Sequence, residues 1–429
     1  MNKIYNKTVL ANGLKVVACP MPARQSLSLG VWIKVGGRYE SKLNKGMAHF
    51  LEHLIFKGSK KYSCRKIKES IEGVGGSLNG FTSEELTCYL VKIPSYYLEL
   101  VLDILSDIVL NPLLVAPEIK KEKTVILEEI KMYKDLPQSY VNELLDGLLW
   151  PDQPLGLPVI GTVDSVNSIR KQELSLFQKR YYTPSNIIIS AAGLLDYDKL
   201  IRYTRAAFPE TEPQQAHRFP AVRLKQNAPR LKFFHKDTEQ THLALGFNSF
   251  RRDHPLRHAL GILHIILGAN MSSRLFNELR EKRGLAYEIG TQLRYFHDAG
   301  SFNVHAGIDN QKVVDALALI LKELNKTKVK LVERDEFRRA KEFYLGQLML
   351  ALEDTLDHML WIGESTATLD KTYSLQDIIR EINKITREDI RVVARQVFLK
   401  EKVNLALIGP LKDKQGEIRK HLGPGLGTI

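Results

Sequence analysis

His49 and His53 stand four residues apart in the stretch His49-Phe50-Leu51-Glu52-His53. On a helix that spacing puts both imidazoles on one face, one turn above the other, so both can reach one ion. Glu52, one residue before the second histidine, is near enough to act on a water held by that ion. The order is HxxEH, the inverse of the commoner HExxH, and both are arrangements that bind zinc on a helix. Two packed core histidines would show the same spacing, so the pattern needs a third ligand and a context.

A helix predicted from about Pro117 to Tyr133 carries Glu118, Glu122, Glu128 and Glu129 among lysines. Glu122 and Glu129 are seven apart, hence on one helix face two turns distant. Zinc takes carboxylate oxygen beside imidazole nitrogen, so this face is a candidate to complete the set. Spacing leaves Glu128 and Glu129 both open, and a Glu/Lys-rich helix also reads as a solvated one. A second histidine cluster, His254, His258 and His264, has helical spacing but no carboxylate among its members. Pro255 puts it at a helix start, and no metal is expected there.

The elements that must hold these groups follow from periodicity and punctuation. Lys15 to Ala18 and Leu27 to Val35 read as strands, with Gly36-Gly37 as the turn after them. Helices are expected over Met47 to Phe56, stopped by Gly58, and over Cys64 to Gly73. Gly75-Gly76 then leads through Ser77-Leu78-Asn79-Gly80-Phe81-Thr82 to a strand Thr87 to Ile93. Glycines and polar residues beside a strand mark an edge or bulge, and an edge can accept an extended peptide by strand addition. An ordinary hairpin fits the same residues. A helix Tyr97 to Val109 follows, and the first domain continues through Val141 to Leu149, a helix Lys171 to Tyr181 and a strand Asn186 to Ala192.

Phe208 to Arg230 holds Pro209, Pro213, Pro220 and Pro229 with little periodicity, and reads as a linker. Beyond it the order of elements repeats: strand Leu243 to Phe247, helix His254 to Leu267, helix Ser273 to Arg280, strands Tyr287 to Leu293 and Ser301 to Ala306, helix Lys312 to Leu324. A helix Glu333 to Leu352, a helical stretch Leu375 to Val397 with breaks, a strand Val403 to Ile408 and a flexible tail Gly423 to Gly427 complete the chain. The expected fold is α+β: two structurally similar domains, each a mostly antiparallel β-sheet packed with helices. Their expected limits are 1–210 and 231–429 around a linker at 211–230, with the metal site in the first alone.

The 429 residues exceed a single core. Apolar content of 44% and charged content of 26% are those of a globular protein. Met1 to Leu14 has no apolar core of signal-peptide length and no run approaches a membrane span. Cys19, Cys64 and Cys88 show no CxxC spacing, which fits a reduced compartment and predicts a cytoplasmic protein with no membrane partner. The net charge of +13 admits a nucleic-acid partner. No helix-turn-helix, zinc-finger or RNP pattern accompanies it, and the basic residues alternate with acids, as in Glu278 to Arg283. A solvated basic surface is the better reading, so no nucleic acid is expected.

Over nearly its full length the chain resembles the insulinase/pitrilysin family of zinc metallopeptidases, above all the half-length members similar to mitochondrial processing peptidase. The resemblance rests on His49-Phe50-Leu51-Glu52-His53-Leu54, Gly76-Ser77-Leu78-Asn79-Gly80-Phe81-Thr82-Ser83 and Glu122-Lys123-Thr124-Val125-Ile126-Leu127-Glu128-Glu129. It extends through Pro154-Leu155-Gly156, Gly161-Thr162, Ser272-Ser273-Arg274-Leu275-Phe276, Arg280 and Gly284-Leu285-Ala286-Tyr287. The family's third ligand lies about 76 positions after the second histidine, which picks Glu129 rather than Glu128. Its supporting acid falls on Glu122, and its substrate-facing Arg/Tyr pair on Arg280 and Tyr287. The resemblance thus implies one Zn²⁺ per chain on His49, His53 and Glu129, with Glu52 as general base and then general acid.

It further implies an endopeptidase for unfolded or presequence-like peptides, held along Asn79, Gly80 and Phe81. With both half-sites in one chain, a homodimer enclosing a chamber is expected, and a heterodimer with an inactive paralogue is the alternative. Gly80, where the family often has alanine, and the glycine-poor Gly268-Ala269-Asn270 are departures that bear on substrate choice. A non-catalytic scaffold, like the respiratory-complex core subunits that share this fold, is disfavoured by the intact HxxEH and Glu129.

Overall fold

The computed structural model describes residues 5–215 and 217–422 and the backbone of Gly427–Thr428. The chain forms two compact units. Unit 1 comprises Met1–Ile130, Leu157–Pro220 and Met349–Leu375; unit 2 comprises Lys131–Gly156, Ala221–Leu348 and Gln376–Ile429.

Unit 1 is built on a six-stranded sheet of β1 (Asn6–Val9), β2 (Lys15–Pro20), β3 (Ser26–Ile33), β4 (Ser77–Thr82), β5 (Thr87–Pro94) and β6 (Ile187–Gly193), in the order β1-β2-β6-β3-β5-β4. Unit 2 has β7 (Arg230–Phe234), β8 (Gln240–Ser249), β9 (Ala286–Tyr295), β10 (Gly300–Asp309), β11 (Asn404–Ile408) and β12 (Gly427–Thr428), in the order β12-β7-β11-β8-β10-β9. Without the outer strands β1 and β12 the two orders are the same. In both, the first two strands of that shared order are parallel, β2 with β6 and β7 with β11, and the rest are antiparallel; of the outer strands, β1 is antiparallel to β2 and β12 parallel to β7. The internal repeat expected from element order is therefore present, as two similar α+β units.

The alternation along β3 explains the layering of unit 1. Leu27, Leu29, Val31 and Ile33 point into a core shared with α1 (Met47–Ile55), α3 (Leu98–Leu110) and the buried stripe Ile119, Ile126 and Ile130 of α4 (Ala116–Asp135). The helix between α1 and α3, α2 (Cys64–Glu72), buries Ile67 and Ile71 in the same core. Ser28, Gly30 and Trp32 point the other way, onto a helix at Thr355–Leu369. Its Met359 and Ile362 pack with Trp32, Val17 and Ile188, and Thr355 Oγ1 lies 2.9 Å from Ser28 Oγ. Sequence patterning misses this helix, because His358, Gly363, Ser365, Thr366 and Thr368 dilute its apolar stripe.

Unit 2 solves the same problem with α5 (Pro137–Leu149), whose Val141, Leu145 and Leu148 pack on Ala244, Ala406 and Ile408. The central strand of each sheet carries a glycine where its helix presses. A Cβ on Gly30 would come within 2.6 Å of Met359 Sδ, and one on Gly246 within 2.9 Å of Leu145 Cδ1. Each unit thus takes one helix from the other's stretch of sequence. Val141–Leu149 belongs with unit 2 rather than with the first domain, and the division 1–210, 211–230, 231–429 does not describe the compact units. Burial of apolar faces, not chain order, groups the helices.

Among the described residues no helix or strand interrupts 209–229. The expected helix Ser273 to Arg280 is instead a π-helical turn, Phe276–Glu281. The expected tail Gly423 to Gly427 lies outside the described residues, apart from the backbone of Gly427, which with Thr428 pairs along Arg230 and Leu231. No described helix is long and apolar enough to cross a membrane.

The packing on Trp32 gives a direct test. A Cβ on Gly363 would lie 2.2 Å from Trp32 Nε1, whereas one on Gly346, also helical, would meet nothing within 4 Å. G363A should cost about 1–3 kcal/mol through overpacking, and G346A should be neutral or stabilise by about 0.5–1 kcal/mol. Urea denaturation followed by circular dichroism reads both. Equal midpoints for the two variants would refute the packing account.

Candidate metal centre

The site starts from α1, whose buried Met47, Ala48, Phe50, Leu51, Leu54 and Ile55 fix its rotation. With that face in the core, His49, Glu52 and His53 are left at the core's margin. The two imidazoles stand with ring centroids 4.6 Å apart. Opposite them, α4 presents Glu129, its Oε2 lying 3.9 Å from His49 Nε2 and 3.7 Å from His53 Nε2. The three donor atoms lie within 4.8 Å of one another, and no other group of three histidine, cysteine or acidic donors meets that test among the described residues. Glu129 rather than Glu128 enters the group; Glu128 is exposed on α4.

The supporting contacts order these donors. His53 Nδ1 lies 3.2 Å from Glu122 Oε2, and the other Glu122 oxygen is 2.7 Å from Lys57 Nζ. A carboxylate on Nδ1 holds the proton there and turns Nε2, the lone-pair nitrogen, towards Glu129. His49 Nδ1 is buried and finds no hydrogen-bond partner among the described residues. Burial, then the neighbouring His53, hold His49 down to about 3, so its imidazole is neutral. Burial raises the carboxyl groups of Glu52 and Glu129. Two neutral-capable imidazoles and one carboxylate form a donor set that fits Zn²⁺ with a position left over.

Glu52 is held from the sheet. Thr82, the last residue of β4, donates its hydroxyl to Glu52 Oε2 at 2.7 Å. The edge position expected for Asn79, Gly80 and Phe81 is where β4 lies, paired on one side to β5. Leu78, Gly80 and Thr82 face α1, and a Cβ on Gly80 would meet Phe56 Cζ at 3.0 Å. Asn79 and Phe81 face away; Phe81 packs edge-on against Trp32, and Asn79 Oδ1 accepts the Gly80 N–H at 2.8 Å.

The start of α1 is capped from a distance. Gly46, the residue before the helix, has φ of 92° and no side chain to cap with; a Cβ there would come within 2.6 Å of Ile160 O. Glu40 accepts the N–H groups of Gly46 and Ala48 instead, with Lys45 beside it. Burial raises Glu40 and lowers Lys45; their pairing opposes both shifts, and the helix N–H groups also oppose that of Glu40.

Arg280 and Tyr287 lie in unit 2, apart from the donor set in sequence and in unit, and next to each other. The Arg280 guanidinium stacks 4.8 Å over Phe276 and 5.5 Å over Tyr287. It projects from the π-helical turn, a distortion frequent at functional sites. The β9 register slips at Gly307/Ile308, leaving Tyr287 as the unpaired residue of a bulge with 74% of its surface exposed. A bulge re-aims a side chain. The second histidine cluster makes packing and hydrogen-bond contacts. His254 stacks on Phe250, His258 Nδ1 meets Tyr344 Oη at 3.1 Å, and His264 Nδ1 meets Thr291 Oγ1 at 2.6 Å.

Sequence reasoning assigned no role to Thr82, Lys57 or Glu40. Lys57 was within reach, standing four residues after His53. Thr82 owes its place to long-range folding, and Glu40 reaches Gly46 and Ala48 across an irregular loop whose residue spacing has no regular signature.

The sequence model of the insulinase family (peptidase family M16) matches residues 15–163, and that of the peptidase M16 inactive domain matches residues 168–344. An uncharacterized zinc protease of Streptomyces coelicolor is 37% identical over 95% of this chain and 90% of its own length. The uncharacterized zinc protease YmxG of Bacillus subtilis is 35% identical over 93% of this chain and 97% of its own. A crystal structure of a protease from Helicobacter pylori superposes with a TM-score of 0.89 at 25% identity, covering 95% of this chain and 99% of that one. The donor set, the duplicated sheets and these matches along nearly the whole sequence lead to one assignment: the chain belongs to the insulinase family, peptidase family M16.

Proposed function

We propose that this protein is a zinc-dependent endopeptidase that cuts unfolded or presequence-like peptides, with Glu52 as general base. The observation that carries the reading is the convergence of His49, His53 and Glu129 beside a Glu52 that is held by the edge strand. Zinc-protease names on relatives of similar length point the same way.

In this reading His49, His53 and Glu129 hold one Zn²⁺ per chain. Bound there, the metal supplies Lewis acidity, polarising the scissile carbonyl and bringing the pKa of water towards roughly 7. Glu52 takes the proton of the attacking water on one carboxylate oxygen while Thr82 holds the other. It then returns that proton to the departing amine, so the residue ends as it began. Burial raises the Glu52 carboxyl, which makes it a better base than an exposed glutamate. Glu122 fixes the ring of His53 and takes no part in proton transfer. Substrate lies extended along Asn79, Gly80 and Phe81 as an added strand, held mainly by backbone hydrogen bonds. That mode demands unfolded peptide and tolerates many sequences. Arg280 and Tyr287 steady the substrate's carbonyl oxygen or adjacent backbone. A homodimer that encloses the substrate in a cytoplasmic chamber is part of the proposal, with an inactive paralogue as the alternative partner.

The test is cleavage of a quenched fluorescent unstructured peptide, with zinc measured on the same sample. Wild type should retain about one zinc per chain through dialysis and cut. E52Q should keep its zinc and lose turnover by about 10²-fold or more. Zinc bound at full occupancy with E52Q as active as wild type would refute the general-base assignment. E122Q should leave the fold intact and weaken zinc binding about 10–100-fold, measured by competition with a chelator. An unchanged affinity would reduce Glu122 to a partner of Lys57. Light scattering should give twice the chain mass; a monomer with full turnover would remove the chamber from the proposal.

A further inference from the structure

The loop between β3 and α1 carries three buried charged groups that are not metal donors, Arg38, Glu40 and Lys45. Arg38 is 1% exposed and Glu40 is 3% exposed. Arg38 Nη1 donates to Glu85 Oε1 at 2.6 Å, the Arg38 N–H to Glu84 O at 2.7 Å, and the Gly37 N–H to Ser83 O at 3.1 Å. These bonds tie the loop to the β4–β5 turn, immediately after the Thr82 that holds Glu52. Approach is so close that a Cβ on Gly36 would lie 2.2 Å from Ser83 O. Glu40 turns the other way. Its Oε2 accepts the Gly46 N–H at 3.0 Å and its Oε1 the Ala48 N–H at 2.6 Å, one residue before His49. Lys45 Nζ stands 3.7 Å from Glu40 and donates to Gly37 O at 2.7 Å, closing the loop on itself.

Two residues apart, at most about 7 Å of chain, one side chain grips the end of the edge strand and the other grips the start of the metal helix. We infer that Arg38 and Glu40 form a brace that sets the edge strand in register with the metal helix. Glu40 is a positioning residue for the ligand His49, and the Arg38–Glu85 pair is a positioning element for Thr82 and hence Glu52. The inference rests on the proposed metal site. Its chemical logic is that buried ion pairs add little stability over apolar replacements but fix geometry when every hydrogen bond is made. Reacting groups tolerate little displacement.

The test replaces both members of each pair, so that no lone charge is left buried: E40Q/K45M and R38M/E85L. Three quantities are read: melting of the metal-free protein, zinc affinity by competition with a chromophoric chelator, and kcat and KM on the unstructured peptide. E40Q/K45M should weaken zinc binding about 10-fold or more. R38M/E85L should hold zinc affinity within about twofold and lower kcat about 10–100-fold. A purely structural loop would move zinc affinity and kcat together, in step with melting temperature, or move neither; either result overturns the brace. If a double variant does not fold, E40D and E85Q are read against the same split, each keeping an acceptor in place. A wild type that binds no zinc sinks the metal site itself, and the brace with it. A wild type that binds zinc beside an E40Q/K45M of equal affinity sinks only the brace.

Discussion

Everything in the site depends on α1 being held in one rotation, because two imidazoles become a ligand pair only when both stay uncharged and aimed at one point. The fold meets this by burying the opposite side of the helix. Phe50, Leu51, Leu54 and Ile55 are 0–2% exposed, and one hundred degrees of rotation per residue leaves His49, Glu52 and His53 together at the margin. The same burial disfavours protonation of His49, aided by the second ring 4.6 Å away. A carboxylate from a second helix then faces the pair, and a carboxylate from the same helix leans against the sheet. Move α1 and all four groups lose their relation.

Much of this was legible because it is local. HxxEH on a helix declares its own geometry, and seven-residue spacing puts Glu122 and Glu129 on one face of α4. The edge character of β4 was legible from glycines and polar residues beside a β-rich run, and the repeat from the order of elements. What stayed hidden was long-range. The choice between Glu128 and Glu129 depends on which face of α4 packs on α1, and spacing says nothing of that. The helix Thr355–Leu369 carries too many polar residues to look amphipathic, since it packs on a face made of Ser28, Gly30 and Trp32. The exchange of helices between units is invisible to any reading that assumes domains are consecutive, as is the service of Glu40 to a helix start six residues on.

The duplication shows how little a fold fixes chemistry. Helix Arg257–Leu267, between β8 and β9, holds in unit 2 the place that α1, between β3 and β4, holds in unit 1, and it too carries two histidines, His258 and His264. There, His258 and His264 are spent on Tyr344 and Thr291, their pKa values lowered to about 4 chiefly by burial, and among the described residues they join no group of three metal-binding donors. The same backbone position serves packing in one unit and the candidate metal centre in the other. The difference lies in Glu52 and in the acids of α4.

The repeat also accounts for a liability. An exposed sheet edge invites pairing with other chains, and proteins usually blunt it. Here β4 and β9 are each the last strand of their sheet, in equivalent topological places. β4 has neither proline nor charge, whereas β9 has Arg294, whose guanidinium turns inward onto Asp146 and the Trp150 ring. β4 carries Asn79, Gly80 and Phe81, and β9 carries Tyr287 on a bulge that turns its ring outward. A bulge beside an open edge limits indiscriminate pairing while leaving backbone groups for a strand that fits. Keeping both edges open is costly in aggregation risk and gains nothing for stability. It makes sense if extended chains are what these edges meet. In the proposed function Asn79, Gly80 and Phe81 on β4 and Tyr287 on β9 meet substrate, and these are the two strands that end their sheets.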